Sequence, residues 1–217
     1  MAALDLEEQE QLAQLKSWWQ RFGGQVLTGI TIVMLVIAGY NGWNYYQRAQ
    51  SGAAAKVFEG LQRLAEGRDV KKVSEASKAL ADQYPRSVFS AMGNLIAARI
   101  SFDGKDLASA RAQLQWVLDN GKDDELKHLA RIRLAGILLD QKELEPARKL
   151  LETPHPPHFD AAYADRRGDI FHAMGKIAEA RGAWETAFAK AGTTNSLKAT
   201  LEFKLDMIGA APPATGS

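Results

Sequence analysis

The chain of 217 residues has no cysteine, so disulfides, thiolate metal sites and cysteine nucleophiles are all excluded. It has no glycine-rich phosphate loop, no serine elbow and no HExxH pair, which removes the common sequence signatures of phosphoryl transfer, serine hydrolysis and zinc proteolysis. Charge of one sign is lacking too: 27 Lys and Arg against 26 Asp and Glu leave +1. Phosphate binding needs a basic face that neutralises several charges at once, so no nucleic acid partner is expected. Strand signals are nearly absent. No catalytic residues, cofactor or metal site follow from the pattern, and the sequence reads as a protein that is not an enzyme.

One local absence is the most informative. From Phe22 to Gln47 there are twenty-six residues without a charge, centred on Ile30-Thr31-Ile32-Val33-Met34-Leu35-Val36-Ile37-Ala38. At about 1.5 Å per residue, roughly 20 such residues cross a hydrocarbon core of about 30 Å, so this is a membrane span in contact with lipid. Trp18, Trp19 and Phe22 precede it, and Tyr40, Trp43, Tyr45 and Tyr46 follow it, where amphipathic rings suit the headgroup layer. A cleaved signal peptide would have a positive start, a shorter apolar run and small residues at its end. Here Asp5, Glu7, Glu8 and Glu10 precede the run and bulky aromatics close it, which favours an uncleaved anchor. Lys16 and Arg21 on one side nearly balance Arg48, Lys56 and Arg63 on the other, so charge leaves the orientation open. Gly23, Gly29, Gly39 and Gly42 form no GxxxG pair, a weak signal for span dimerisation.

After the anchor the apolar spacing is helical, as in Val57, Leu61 and Leu64, in Leu114, Val117 and Leu118, and in Leu197, Leu201, Leu205 and Ile208. Breaks at Gly67, Pro85, Gly104, Gly121, Pro154 to Pro157, Gly175 and Gly192 predict helices of about 12 to 18 residues. Three breaks share a phrase: Lys105-Asp106-Leu107-Ala108-Ser109-Ala110, Lys142-Glu143-Leu144-Glu145-Pro146-Ala147 and Gly175-Lys176-Ile177-Ala178-Glu179-Ala180. In each, a turn is followed by an apolar plug, then by an alanine that lets two helices approach. A large apolar residue follows four positions later: Leu114, Leu151 and Trp184. The alanines lie 37 and 33 residues apart, and Ala76 with Leu80 is a weaker antecedent 34 before Ala110. That period belongs to tetratricopeptide repeats. In the last unit Gly168 and Phe171 take the small and aromatic positions of the first helix, with Ala180, Trp184 and Ala187 on the second; Leu134-Ala135 match in the unit before. An irregular helical bundle is the alternative. The fold class read from this is all-α: one N-terminal transmembrane helix, then an α-solenoid of about four tetratricopeptide-like helix pairs with a C-terminal capping helix.

Stacked helix pairs expose a groove that binds peptides. In this register it is lined by Met92, Leu95, Arg99 and Phe102, then by Leu129, Ile132 and Leu139, then by Asp165, Asp169 and His172. A terminal helix from Ser196 to Ile208 folding over these positions fits the sequence equally well. Asp123, Asp124 and Glu125 read as a helix start. Asp165, Arg166, Arg167 and Asp169 read as surface charges pairing locally. The prolines of His155-Pro156-Pro157-His158 argue for an extended, exposed loop over a metal site, and His128 and His172 read as surface or packing residues.

Three stretches make the whole chain resemble a known family. They are Glu7-Glu8-Gln9-Glu10-Gln11-Leu12 running to Leu15-Lys16-Ser17-Trp18-Trp19, the anchor end Gly42-Trp43-Asn44-Tyr45-Tyr46, and Ala164-Asp165-Arg166-Arg167-Gly168-Asp169 with Gly175-Lys176 and Ala180-Arg181-Gly182-Ala183-Trp184-Glu185. The chain is similar to the YfgM-like ancillary subunits of the bacterial SecYEG translocon. The resemblance implies a single-pass type II inner-membrane protein: a cytoplasmic tail at 1–21, a signal-anchor at 22–46 and a periplasmic repeat domain at 47–208; the tail at 209–217 is too short and polar to pack and reads as disordered from its composition. It implies a noncatalytic adaptor whose partners are the SecYEG translocon, a membrane-anchored periplasmic chaperone related to prolyl isomerases, and exported client chains passed on to chaperones. An alternative role attributed to the family is sequestering an envelope-stress regulator. The Pro154 to Pro157 insert and the tail Ala210 to Ser217 depart from the family pattern.

Overall fold

The computed structural model describes residues 6–192 and 195–209; the expectation for the tail from Ala210 lies outside the described residues. The elements are α1 (Leu6–Glu66), α2 (Val70–Gln83), α3 (Val88–Asp103), α4 (Leu107–Asn120), α5 (Asp124–Asp140), α6 (Leu144–Leu150), a 3-10 turn (Pro157–Phe159), α7 (Asp160–Ala173), α8 (Ile177–Lys190) and α9 (Asn195–Met207). The described residues contain no strand. The chain divides into two compact units, Met1–Gly52 and Ala53–Ser217.

In the first unit Glu10–Trp43 is long and apolar enough to cross a membrane, with mean hydropathy 1.9, and only 6% of its most apolar window is buried. A core helix of that composition would be packed on most sides. Here Leu35, Val36 and Tyr40 are exposed. The hydroxyls of Thr28 and Thr31 donate to the carbonyls of Gly24 and Leu27, both at 2.8 Å, so these two polar groups are satisfied inside the helix, as a bilayer demands.

The second unit is a row of helix pairs: the end of α1 with α2, where Ala54, Phe58 and Leu61 cluster with Leu80, then α3 with α4, α5 with α6, and α7 with α8, followed by α9. The shared phrase is structural. Ala110, Ala147 and Ala180 are 0% exposed, and Leu114, Leu151 and Trp184 are 1% exposed, so each pair closes on a small residue and locks on a large one. The plug position is less uniform, because Leu107 and Leu144 are half-buried while Ile177 is exposed. Each turn uses one residue with positive φ two positions before the second helix: Arg68 (50°), Lys105 (65°), Lys142 (64°) and Gly175 (75°). Three of these are not glycine, and each accepts a left-handed backbone that costs an ordinary residue about 1 kcal/mol. The turn is repaid by backbone bonds, from Asp106 N–H to Ser101 O at 2.8 Å, from Glu143 N–H to Leu138 O at 2.8 Å and from Lys176 N–H to Phe171 O at 2.9 Å.

The same geometry corrects the first repeat. Arg68 aligns with Lys105, which puts buried Val73 and Ser77 where Ala110 and Leu114 stand, so Ala76 and Leu80 lie one turn too late. Val73 N–H bonds Asp69 O, the counterpart of Ala110 N–H to Asp106 O. The helix-length expectation fails at α6, which spans seven residues, because Pro154, Pro156 and Pro157 follow closely and cannot continue a helix. The start at Asp123 is as read: its carboxylate caps α5 by accepting from Leu126 N–H at 3.0 Å. Ser87, Asp69 and Asp106 cap α3, α2 and α4 in the same way.

Candidate functional site

The first helices α3, α5 and α7 share a cleft, and the groove positions divide according to how they sit around it. Leu95 and Ile132 are buried in the core, and Leu129, Leu139 and Phe102 are half-buried against it. Met92 packs instead with Phe58, Leu61 and Leu80 in a separate cluster at the first repeat. Arg99 is exposed and pairs with Asp103, Nε to Oδ1 3.0 Å. A groove lined by all ten residues alike is therefore not what the structure holds. Leu95 and Ile132 are the floor that orders the helices.

The α7 end is occupied from within. Lys204 of α9 reaches Asp165 and Asp169, each at 2.6 Å. Asp169 also accepts from Trp184 Nε1 at 3.2 Å and from Arg166 Nη1 at 3.3 Å, and His172 stacks against Trp184 at 5.5 Å. Burial holds the Asp165 carboxyl above the ordinary carboxylate value, against the hydrogen bond from Lys204. Of the charges read as local surface pairs, Arg166 with Asp169 is local, while Asp165 and Asp169 also bind Lys204 on a helix 39 and 35 residues away. Leu201 and Leu205 of α9 are fully buried with Ala164, Trp184, Ala187 and Phe188. The terminal helix thus caps the last pair by packing on α8, and its lysine covers the acidic end of the groove.

A cavity of about 190 Å³ lies between α3, α4, α5 and α7. Leu114 and Ile137 line it with Ala98, Phe102 and Gly136, while Arg99, Arg133, Arg166 and Asp140 supply its charge. A Cβ on Gly136 would sit 3.2 Å from Arg166 Cζ, so the missing side chain makes room for the guanidinium. Arg133 donates to Leu95 O at 3.4 Å, and burial together with nearby Arg99 pulls its guanidinium below the ordinary arginine value. Sequence reasoning found Arg99 and Phe102 but missed Arg133, Gly136, Asp140 and Arg166. The signal was adjacent: Arg133 and Arg166 each follow a chosen position by one residue, and an apolar helix face of about 100° admits both neighbours.

A second cluster surrounds the proline insert. His128 Nδ1 meets the Tyr163 hydroxyl at 2.7 Å and Arg131 Nη1 at 3.3 Å, and an arginine only donates, so this nitrogen accepts. Burial, then Arg131, lower the His128 pKa below the ordinary histidine value. His155 is packed on the Tyr163 ring at 4.0 Å, which departs from the fully exposed loop read from the sequence, whereas His158 is exposed and meets Glu125 at 2.6 Å.

Residues 16–210 match the tetratricopeptide repeat-like domain family. The chain is 30% identical over 210 residues to an ancillary SecYEG translocon subunit of Neisseria gonorrhoeae, covering 95% of this chain and 99% of that one. It is 26% identical over 200 residues to the protein of the same name from Escherichia coli, covering 92% and 95%. A Haemophilus influenzae protein of that name is 25% identical over 189 residues, covering 85% and 90%. No solved structure matches the chain.

Proposed function

Because the chain belongs to the tetratricopeptide repeat-like family of ancillary SecYEG translocon subunits, we propose that it is a noncatalytic, membrane-anchored adaptor at the protein-export channel. The observation that carries this is the extent of the likeness, 95% of this chain and 99% of the relative, which includes the span and the repeats together. An anchor and a row of helix pairs do complementary work: the span sets where the protein sits, and the first-helix face offers a surface for extended polypeptide. The repeats hang in the periplasm, where they hold a membrane-anchored chaperone or an emerging client and pass exported chains onward.

Site-directed photocrosslinking tests both halves. The buried Leu95 and Ile132 are poor probe positions; exposed Arg99 and half-buried Leu139 suit the groove, Val36 suits the span, and exposed Arg181 on α8 serves as the control. Val36 is expected to capture channel subunits, and Arg99 and Leu139 a periplasmic chaperone or client. Equal capture from Arg181, or capture of this chain alone from the groove, overturns the groove half. Absence of channel subunits from every span position overturns the other.

A further inference from the structure

The second helices α4 and α8 run 14 residues each, but α6 stops after seven, and the stretch carrying Pro154, Pro156 and Pro157 leads on to α7 in its place. Aromatic and titratable side chains hold that stretch. His155 lies on the Tyr163 ring at 4.0 Å, and Phe159 lies on the His128 ring at 5.2 Å. Tyr163 is 0% exposed and His128 8%, so the insert closes over both. At the centre is His128 Nδ1, which accepts from the Tyr163 hydroxyl at 2.7 Å with Arg131 Nη1 at 3.3 Å, so the ring carries its proton on Nε2. A second proton, on Nδ1, would remove the acceptor that both donors use and set an imidazolium beside a guanidinium. The Tyr163 hydroxyl can turn to accept; Arg131 cannot. Each nearby carboxylate already has a partner: Asp124 and Glu125 of α5 meet Lys127 and His158, and Asp160 of α7 meets Lys190 of α8 and His155 of the insert.

We propose that the proline insert is an acid-sensitive latch: a proton on His128 undoes the bonds that Tyr163 and Arg131 make to it, and residues 153–159 come away from α5 and α7 while the helices persist. The inference goes beyond the adaptor reading and is independent of which partner the repeats hold. Its direction agrees with the titration of His128, which burial and then Arg131 hold below the ordinary histidine value. The closed insert resists the proton, and an opened one takes it near the ordinary value of about 6.5. Opening is therefore favoured as pH falls below about 6.5 and is reversed above it. At pH 5.5, one unit lower, the ratio of open to closed rises by at most about tenfold.

Hydrogen exchange followed by mass spectrometry tests this on the full chain in detergent micelles, with rates corrected for the pH dependence of the intrinsic chemistry. Between pH 7.5 and 5.5 the segment 153–163 is expected to exchange up to about tenfold faster, while α8 keeps its rate. His128→Gln should exchange alike at both pH values, because a carboxamide oxygen accepts the same bonds but takes no proton. Arg131→Gln should show a smaller rise than the wild type, since the neighbouring guanidinium is part of what keeps the proton off. An unchanged wild-type rate over 153–163, or an equal rise in His128→Gln, overturns the latch. An equal rise in α8 overturns it in favour of a general loss of stability in acid. If His128→Gln leaves the segment open already at pH 7.5, Arg131→Gln decides: a full wild-type rise without the guanidinium overturns the proposal, and a reduced one supports it.

Discussion

Gly168 is the residue on which the last helix pair depends most directly. A Cβ there would lie 2.4 Å from Cδ1 and Nε1 of Trp184, whose ring is buried and tied to Asp169 through Nε1, so neither side can give way cheaply. Alanine is the better helix former by about 0.8–1 kcal/mol, but overpacking costs about 1–3 kcal/mol, and with this clash the second term wins. Gly168→Ala is therefore expected to lower stability by about 1–2 kcal/mol in urea unfolding followed by circular dichroism; an unchanged midpoint would show that the Trp184 ring can move aside. His128 gives a pH prediction of definite sign. Its native pKa lies below the ordinary 6.5, so the unfolded chain takes up the proton first and the native state loses stability as pH falls below about 6.5, down to the depressed native value. His155 and His158 stand nearby, paired with Asp160 and Glu125, so the comparison with His128→Gln isolates the effect: the wild-type protein should lose more stability between pH 7.5 and 5.5 than the variant. An equal loss would place the proton elsewhere.

Among the elements, α9 shows best what pattern reading reaches and where it stops. Its apolar spacing at Leu197, Leu201, Leu205 and Ile208 identifies it from sequence, and the breaks at Gly104, Gly121 and Gly175 likewise mark real helix ends, because backbone punctuation is a local property. The partner of Lys204 is not local: Asp165 and Asp169 lie 39 and 35 residues away, and no spacing rule reaches that far. The same limit hid the Arg133 and Arg166 cleft, which forms only when four helices meet. In the first repeat, Val73 in place of alanine broke the one-letter pattern while the turn geometry at Arg68 kept it. Lys204→Met tests how far the lysine holds α9 down. Asp165 and Asp169 would then face each other, mostly buried, without the amine, a loss of about 2–4 kcal/mol at pH 7. The Asp165 pKa, already raised by burial, would rise further; a group raised in the native state gains stability as pH falls through its native value. The penalty of the variant should accordingly shrink between pH 7 and pH 4.5 in urea unfolding, and a penalty independent of pH would mean that the methylene stem of Lys204, and not its charge, secures the helix.

For the molecule as a whole, function turns on which side of the membrane the repeats occupy, and local physics is silent there. Lys16 and Arg21 against Arg48, Lys56 and Arg63 give no decisive asymmetry, and large domains translocate largely regardless of such charges. The span has the length and the exposed apolar surface of a membrane crossing, which leaves two outcomes to read: the side on which the repeats lie and whether the anchor is kept. A reporter that folds only outside the cytoplasm, fused after Ser217, is expected to be active on the proposed reading, in which the repeats hold exported chains after they have crossed. Cell fractionation of the same fusion separates anchor from cleaved signal: an uncleaved span keeps the active reporter in the membrane pellet at full size, whereas cleavage after the apolar run releases a shorter, soluble form. The acidic start before the span and the bulky residues at its end argue for the first result. An intact but inactive fusion would place the repeats in the cytoplasm and overturn the periplasmic adaptor.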